Sequence, residues 1–190
     1  MRQFADLDEI SRDILKEIGN IGTGNAVTAL SQMLMHPVDI AVPDLKILKY
    51  QEVCSLLDSA DELQTGIMVG VGGEMEGMFL FLLSETFTMM VLNKILGEEE
   101  REFLNPGEME RSLICELGNI MCGSYINALA SVMDLKLEVS VPDVCIDMGG
   151  AILTYPMSKW VIVSDDILLI ENIFHMSGEI FKGRILFLPE

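Results

Sequence analysis

The sequence predicts an α/β domain of the α+β type, in which two αβ repeats are related by a pseudo-twofold axis. Two observations carry this prediction: an ungapped internal repeat, and a long helical pattern in each half that is followed by short apolar segments. The connections between those segments look too short for parallel crossovers, which favours a largely antiparallel sheet. With 190 residues, of which 50% are apolar, the chain can bury a substantial core.

The repeat relates residues 13–44 to residues 112–143 at a constant offset of 99. We therefore expect a single domain over residues 1–190, with repeats over about 6–97 and about 107–190 and an acidic, solvated connector from Gly97 to Gly107. Ten positions are identical between the two copies: Glu17, Gly19, Asn20, Ile21, Gly24, Ala29, Leu30, Val42, Pro43 and Asp44 recur as Glu116, Gly118, Asn119, Ile120, Gly123, Ala128, Leu129, Val141, Pro142 and Asp143.

Each repeat opens with a predicted long helix, over about residues 8–35 and about 107–133, because apolar residues recur there at helical spacing. Helical patterns over Glu85–Leu96 and about Asp165–Met176 predict one further helix in each half. Short apolar segments bounded by turn residues predict strands at Val38–Val42, Gly66–Val71, Gly77–Leu83, Leu135–Val141, Ala151–Tyr155, Trp160–Val163 and Arg184–Leu188.

The charge balance argues against two classes of partner. The chain carries 30 Asp and Glu against 12 Lys and Arg, a formal net charge of −18. Nucleic acids and anionic membrane surfaces both attract clustered cations, so neither is expected as a direct partner. No apolar run approaches the ~20 residues that span a bilayer, and the first residues lack the apolar core of a signal peptide. We expect a cytoplasmic protein without membrane insertion.

The cysteines and histidines give no sign of a metal or nucleophilic site. The four cysteines form no CxxC pair, and neither of the two histidines has metal-ligand neighbours in the sequence. We interpret these residues as ordinary core or surface residues, and we expect no metal and no cofactor bound by the chain itself.

Each long helix is predicted to present a polar stripe to solvent. At about 100° per residue, Asp13, Glu17, Asn20 and Gly24 fall within about 60° of one another. Core-directed residues are expected beside the stripe, at Ile14, Ile18, Ile21 and Ala29. The glycines weaken the helix by up to ~1 kcal/mol each, which suggests a close approach of another chain. The second copy of the stripe consists of Ser112, Glu116, Asn119 and Gly123.

Glu and Asn on a helix surface are usually only solvated groups, but their recurrence in both copies favours a function. An amide donates and accepts hydrogen bonds while it stays neutral, so it can hold a water beside a phosphoryl group that would repel a carboxylate. A nearby carboxylate can bind a lysine of a partner through a charge-assisted hydrogen bond. The cations and metal needed for phosphoryl transfer would then come from the partner.

At these residues the sequence resembles the CheC/CheX/FliY family of chemotaxis phosphatases. The local text EIGNIGTGNAVTALS and ELGNIMCGSYINALAS is similar to the two halves of CheC-type members, and the presence of two motifs in one chain separates it from the single-motif CheX type. The family signature occurs twice, as Asp13-x3-Glu17-x2-Asn20-x22-Pro43 and as Ser112-x3-Glu116-x2-Asn119-x22-Pro142.

The resemblance implies hydrolysis of the phosphoaspartate of a phosphorylated CheY-like receiver, whose own acidic pocket holds Mg²⁺. Asn20 and Asn119 would orient the attacking water, and Glu17 and Glu116 would bind the receiver's lysine. Pro43 and Pro142 would shape the neighbouring strand and loop, whereas the role of Asp13 and Ser112 is less defined. The receptor deamidase CheD is implied as a second partner.

Two other interpretations stay open at this point. The chain could be a non-catalytic adaptor for CheY-P or CheD, or a module related to the flagellar switch, where FliM shares the family fold without the catalytic residues. The segment GNIGTGN could also form a nucleotide phosphate loop, although it follows a helical pattern rather than a strand and lacks a GK[ST] ending.

Overall fold

The computed structural model describes residues 9–41, 44–49, 51–53, 61–160 and 166–189. Along the chain its elements are α1 (Glu9–Leu34), β1 (Asp39–Ile40), β2 (Asp44–Lys49), β3 (Leu63–Gly73), β4 (Gly77–Ser84), α2 (Glu85–Leu96), α3 (Glu108–Met133), β5 (Leu137–Val139), β6 (Asp143–Met148), α4 (Gly149–Trp160), β7 (Asp166–Met176) and β8 (Glu179–Pro189).

Both long helices are confirmed within two residues of their predicted ends. The start of α3 is capped by Glu110, whose carboxylate accepts a hydrogen bond from the backbone N–H of Gly107. The helix ends at Met133, and the next residue, Asp134, adopts the left-handed conformation. The predicted helix Glu85–Leu96 is also confirmed as α2, and the Ser84 hydroxyl caps it by accepting a hydrogen bond from the Phe87 N–H at 3.3 Å.

The strands form one eight-stranded sheet that reflects the internal repeat. The order is β1-β7-β8-β4-β3-β5, with β2 also paired to β7 and β6 to β3. Every pairing among the described residues is antiparallel, as predicted. Exchanging the first half for the second, β1–β4 for β5–β8, leaves this order unchanged. The sheet centre is the pairing of β4 with β8, where Leu80 lies opposite Leu186.

The sheet buries apolar side chains on both faces. Along β4, Phe79, Phe81 and Leu83 point into a core shared with α1, α2 and α3. The intervening residues of β4 join a second core that includes Ile152 and Leu153 of α4. Among the described residues, α3 is the one helix that is long and apolar enough to cross a membrane, but half of its most apolar window is buried inside this fold.

One predicted strand is a helix. Ala151–Tyr155 lies within α4, and so does Trp160, whereas residues 161–163 of the predicted strand Trp160–Val163 lie outside the described residues. The Thr154 hydroxyl donates to the Gly150 carbonyl four residues earlier, at 3.1 Å, as a helix allows. Ile152 and Leu153 are buried side by side against the second core. A five-residue apolar run has too few positions to distinguish the two periods.

Conversely, the helix predicted at about Asp165–Met176 is strand β7 from Asp166 onward, and residue 165 lies outside the described residues. This strand lies between β2 and β8, so both of its edges are hydrogen-bonded. The run from Ile167 to Ile170 is buried on both faces of the sheet, which removes the alternation that would have marked a strand.

The core-facing stripe of α1 differs from the predicted one. Ile18 is buried, but Ile14 and Ile21 are 39% and 36% exposed and Ala29 is only half-buried. The buried residues lie on a face of α1 that is rotated about the helix axis from the predicted one. Several are small, because α1 packs against α3 as well as the sheet. They are Ile18, Gly19, Gly22, Thr23, Ala26, Leu30 and Leu34.

The connector 97–107 is only partly a solvated loop. Its acidic run from Glu98 to Glu100 is exposed as expected. Phe103, however, is buried, and the Arg101 guanidinium donates to Asn93 Oδ1 at 2.6 Å and lies 3.1 Å from the Glu110 carboxylate. These contacts join the end of α2 to the start of α3.

An ion pair on the β2–β7 edge offers a test of the sheet register. Asp44 lies directly opposite Glu171, and the Lys46 ammonium lies 3.0 Å from the first carboxylate and 2.8 Å from the second. Hydrogen bonding to Lys46 lowers the pKa of Glu171, and hydrogen bonding to Glu171 raises the pKa of Lys46. Lys46 therefore offsets a repulsion between like charges that face each other across two strands.

We expect Lys46→Met to lower the urea midpoint of unfolding at neutral pH. Because the folded pKa of Glu171 is depressed, its stabilisation is present above the unfolded pKa and is lost as the pH falls through the folded pKa. The difference between wild type and variant should therefore shrink at about pH 3. Lys16→Met is the control, since its pair with Asp13 is exposed on both sides and should contribute little. A difference that persists unchanged in acid would contradict this assignment.

Candidate functional site

The two predicted polar stripes lie on the surface of the long helices. On α1, Asp13, Glu17, Asn20 and Gly24 are all exposed. Each helix thus presents a carboxylate and, one turn later, a primary amide to solvent. On α3, Ser112, Glu116 and Asn119 are exposed and Gly123 is half-buried.

The second stripe contains a direct contact between its two principal side chains. The Asn119 amide Nδ2 donates to Glu116 Oε2 at 3.4 Å, a long hydrogen bond that leaves the amide oxygen available. On the first stripe, Asp13 instead pairs with Lys16 at 3.5 Å. Cys115 stands at the equivalent position in the second copy, so this pair has no counterpart there.

Close packing of α3 on the sheet fixes the position of Asn119. A Cβ atom added to the preceding residue, Gly118, would lie 2.4 Å from Ile67 Cγ2 and 3.5 Å from Pro142 Cβ. Only a glycine lets the helix approach so closely. The buried Pro142 thus supports the helix directly beneath the site. Its first-half counterpart, Pro43, lies outside the described residues.

One glycine of α1, Gly22, serves the contact between the two long helices. A Cβ on Gly22 would lie 2.6 Å from Tyr125 Cδ1 and 3.1 Å from the Tyr125 Cα. The close approach expected from the sequence is therefore made by α3 of the same chain. Gly24 is different, since nothing lies within 4 Å of an added Cβ.

A buried polar cluster beneath this contact was not predicted. The Thr23 and Tyr125 hydroxyls are 2.8 Å apart, and Asn172 Nδ2 donates to the Tyr125 hydroxyl at 3.1 Å. Burial raises the pKa of Tyr125, so the phenol stays neutral. The cluster joins α1, α3 and β7. No sequence signal could have found it, because its members are far apart in the chain and Asn172 lies in the segment predicted as a helix.

Two of the cysteines, Cys122 and Cys145, are unsuited to nucleophilic chemistry, and Cys54 lies outside the described residues. Burial raises the pKa of Cys122 to about 12 and also raises the pKa of Cys145, beside Asp143 and Asp147. In the part of the chain that the structure describes, no three His, Cys, Asp or Glu side chains are grouped to hold a metal. The stripes themselves offer hydrogen bonding and charge.

The phosphate-loop interpretation does not fit the structure. The segment GNIGTGN occupies residues 19–25, in the middle of α1. A phosphate loop needs unpaired backbone N–H groups at a helix start, whereas N–H groups inside a helix are already hydrogen-bonded.

Both stripes lie within the parts of the chain that match a known protein family. Residues 10–47 and 109–146, which include both stripes, match the CheC-like family. The CheY-P phosphatase CheC of Bacillus subtilis (strain 168) is 31% identical over 194 residues, with 100% of this chain and 93% of that protein covered. The flagellar motor switch phosphatase FliY of the same organism is 29% identical over 73% of this chain and 36% of its own length.

The solved structures agree on the fold. The crystal structure of Thermotoga maritima FliY superposes with a TM-score of 0.74 at 24% identity and covers 95% of this chain and 91% of that chain. The FliM middle domain of H. pylori superposes at 0.69 with 10% identity, over 96% of this chain and 94% of that chain. This chain therefore shares its fold with both FliY and the FliM middle domain.

Proposed function

Because this chain belongs to the CheC-like family, we propose that it is a phosphatase that hydrolyses the phosphoaspartate of a phosphorylated CheY-like receiver. One observation carries the proposal: the similarity to a relative named CheY-P phosphatase spans the whole chain, and the family match includes a surface-exposed Glu–Asn pair in each half. Both pairs are free of overlying structure among the described residues, so a macromolecular substrate can reach them.

The proposed reaction is attack of water on the phosphorus of the receiver's phosphoaspartate. A P–O bond forms to the water oxygen while the P–O bond to the aspartate carboxylate breaks. The products are the receiver's free carboxylate and inorganic phosphate, which keeps both hydrogens of the water. Asn20 or Asn119 accepts a hydrogen bond from the attacking water and holds it in line with the breaking bond. A neutral amide suits this position, because a carboxylate there would be repelled by the phosphoryl oxygens.

In this proposal, the receiver supplies the positive charges at the site. Glu17 and Glu116 bind the receiver's active-site lysine and so orient the two proteins. The receiver's acidic pocket holds Mg²⁺, which neutralises the developing charge on the phosphoryl group when it is bound. This chain then contributes position rather than a nucleophile or a metal.

The two sites are not equivalent. Gly22 and Thr23 follow the first Asn, whereas Met121 and Cys122 follow the second. The Glu116–Asn119 hydrogen bond holds the second amide, and the Asp13–Lys16 pair adds a cation beside the first. We propose that both sites act, with different rates.

A non-catalytic adaptor for CheY-P is the second candidate, and the observation that favours it is the shared fold with FliM proteins. Turnover separates the two candidates, since an adaptor cannot act on more receiver molecules than it binds. Binding of CheD and a cytoplasmic location stay predictions from the family resemblance.

The double variant Glu17→Gln, Glu116→Gln tests the proposed anchoring role. We expect KM for the phosphorylated receiver to rise about tenfold, because each substitution removes one charge-assisted hydrogen bond between the proteins. The value of kcat should change less. Steady-state rates of phosphate release over a range of receiver concentrations separate the two constants.

The matched control is Glu9→Gln, Glu108→Gln, which removes an exposed acid at the first residue of each long helix, about two turns before the glutamate of the stripe. It should leave KM unchanged. A loss confined to kcat in the Glu17, Glu116 double variant would contradict the anchoring role and would place the carboxylates in the chemical step.

A further inference from the structure

An apolar groove beside the first stripe has an occupied counterpart in the other half of the fold. The groove encloses about 290 Å³ between α1, the sheet and the end of α3. Its wall includes Ile14, Leu15, Ile18, Leu129, Met133 and Phe187. An open apolar groove of this kind is unusual on a protein surface and is typical of a binding site for a helix.

The pseudo-twofold axis identifies α2 as the element that fills the equivalent groove in the other half of the fold. Helix α2 contacts α1, α3, β3, β4 and β8. Exchanging the halves converts this set into α3, α1, β7, β8 and β4, the same elements that line the open groove. Helix α2 buries Phe87, Val91 and Leu92, and the Phe87 ring lies 5.1 Å from Phe174 and 5.5 Å from Phe181.

Burial of equivalent residues shows the difference between the two grooves. In the occupied groove, Leu30 and Leu34 are 0% and 4% exposed. Their repeat counterparts in the open groove are Leu129, which is half-buried, and Met133, which is 50% exposed. The same difference holds for Ile114, which is 1% exposed in the occupied groove, and its repeat counterpart Leu15, which is half-buried in the open groove. In the open groove, no element of the described chain occupies the position that α2 occupies in the other groove.

We propose that the open groove binds an amphipathic helix of a partner protein, oriented and packed as α2 is in its own groove. The helix would present an apolar stripe at the spacing of Phe87, Val91 and Leu92. Exposed acids adjoin one end, since Glu74 and Glu76 flank the groove residue Met75. In a chain of net charge −18, this favours an occupant with basic residues at its ends.

The probe is a labelled peptide with the sequence of residues 84–97 of this chain, extended by two lysines at each end and held helical by a lactam bridge on its exposed face. Fluorescence anisotropy should show saturable binding to the full chain. Met133→Glu should weaken that binding at least about tenfold, because it places a charge in the groove. A peptide with Ser in place of Phe87 and Val91 should not bind.

The control is Val132→Glu, since Val132 is 41% exposed on the same helix but does not line the groove. It should bind the peptide as wild type does. Absence of saturable binding, or equal binding by the Met133→Glu chain, would overturn the proposal. A dimer of the chain that is lost in Met133→Glu would also overturn it, because a second copy would then be the occupant. None of these outcomes depends on phosphatase activity.

Discussion

Replacing both stripe asparagines with alanine should abolish the acceleration of receiver dephosphorylation. In Asn20→Ala, Asn119→Ala, neither site retains an amide to hold the attacking water, and positioning of this kind is worth about a hundredfold or more in rate. Each single variant should keep the activity of the other site. Both asparagines are exposed, so the unfolding midpoint should stay close to that of wild type.

The chain offers a matched control for this experiment. Asn25 and Asn127 are exposed on the same two helices but lie off the stripes, rotated by about 140° and about 80° from the site amides. Asn25→Ala, Asn127→Ala should retain full activity. Comparable losses in both double variants would mean that the helices, rather than the two amides, carry the effect.

Gly118→Ala should destabilise the fold and impair the second site. The new Cβ would lie 2.4 Å from Cγ2 of the fully buried Ile67, so helix or strand must move. Overpacking of this kind costs about 1–3 kcal/mol of the free energy of unfolding. Because Asn119 is the next residue, the same movement should shift its amide. Urea unfolding at neutral pH measures the first effect.

Gly123→Ala on the same helix is the control for that measurement. Nothing lies within 4 Å of an added Cβ there, so only helix propensity should act, which raises the free energy of unfolding by up to about 1 kcal/mol. The two variants should therefore change the free energy of unfolding in opposite directions. If both variants shift stability in the same direction, the close approach of α3 to β3 is not what the glycine serves.

The internal repeat explains why so much of the fold could be predicted. Two copies of one pattern predicted both long helices, and the predicted strands Gly77–Leu83 and Arg184–Leu188 lie in the paired central strands β4 and β8. Exposed polar residues that recur in both copies, Glu17 and Asn20 above all, pointed to the stripes. Repetition supplied the signal that a single copy of the pattern would lack.

Two elements without a repeat signal, α4 and β7, were mispredicted for physical reasons. In β7, the polar residues Glu171 and Asn172 follow the apolar run from Ile167 to Ile170. The structure provides their partners from distant elements: Lys46 on β2 pairs with Glu171, and Tyr125 on α3 bonds Asn172. Polar residues that are satisfied across the fold cannot be distinguished in sequence from those that face water.

The burial of one apolar face of α1 was mispredicted for a related reason. Ile14 was expected in the core, yet it lines the open groove, where no described element covers it. Local periodicity reports which residues are apolar, but the tertiary arrangement of α2 and α3 decides which apolar faces are covered.

The decisive experiment follows the decay of a phosphorylated CheY-type receiver in Mg²⁺, with this chain at a concentration far below that of the receiver. If the chain is a phosphatase, the wild-type protein speeds phosphate release through many turnovers. With Asn20→Ala, Asn119→Ala, the receiver should lose phosphate only at its own intrinsic rate. Release that is unaffected by the wild-type chain, or limited to one receiver per chain, would contradict the phosphatase assignment and would favour the adaptor.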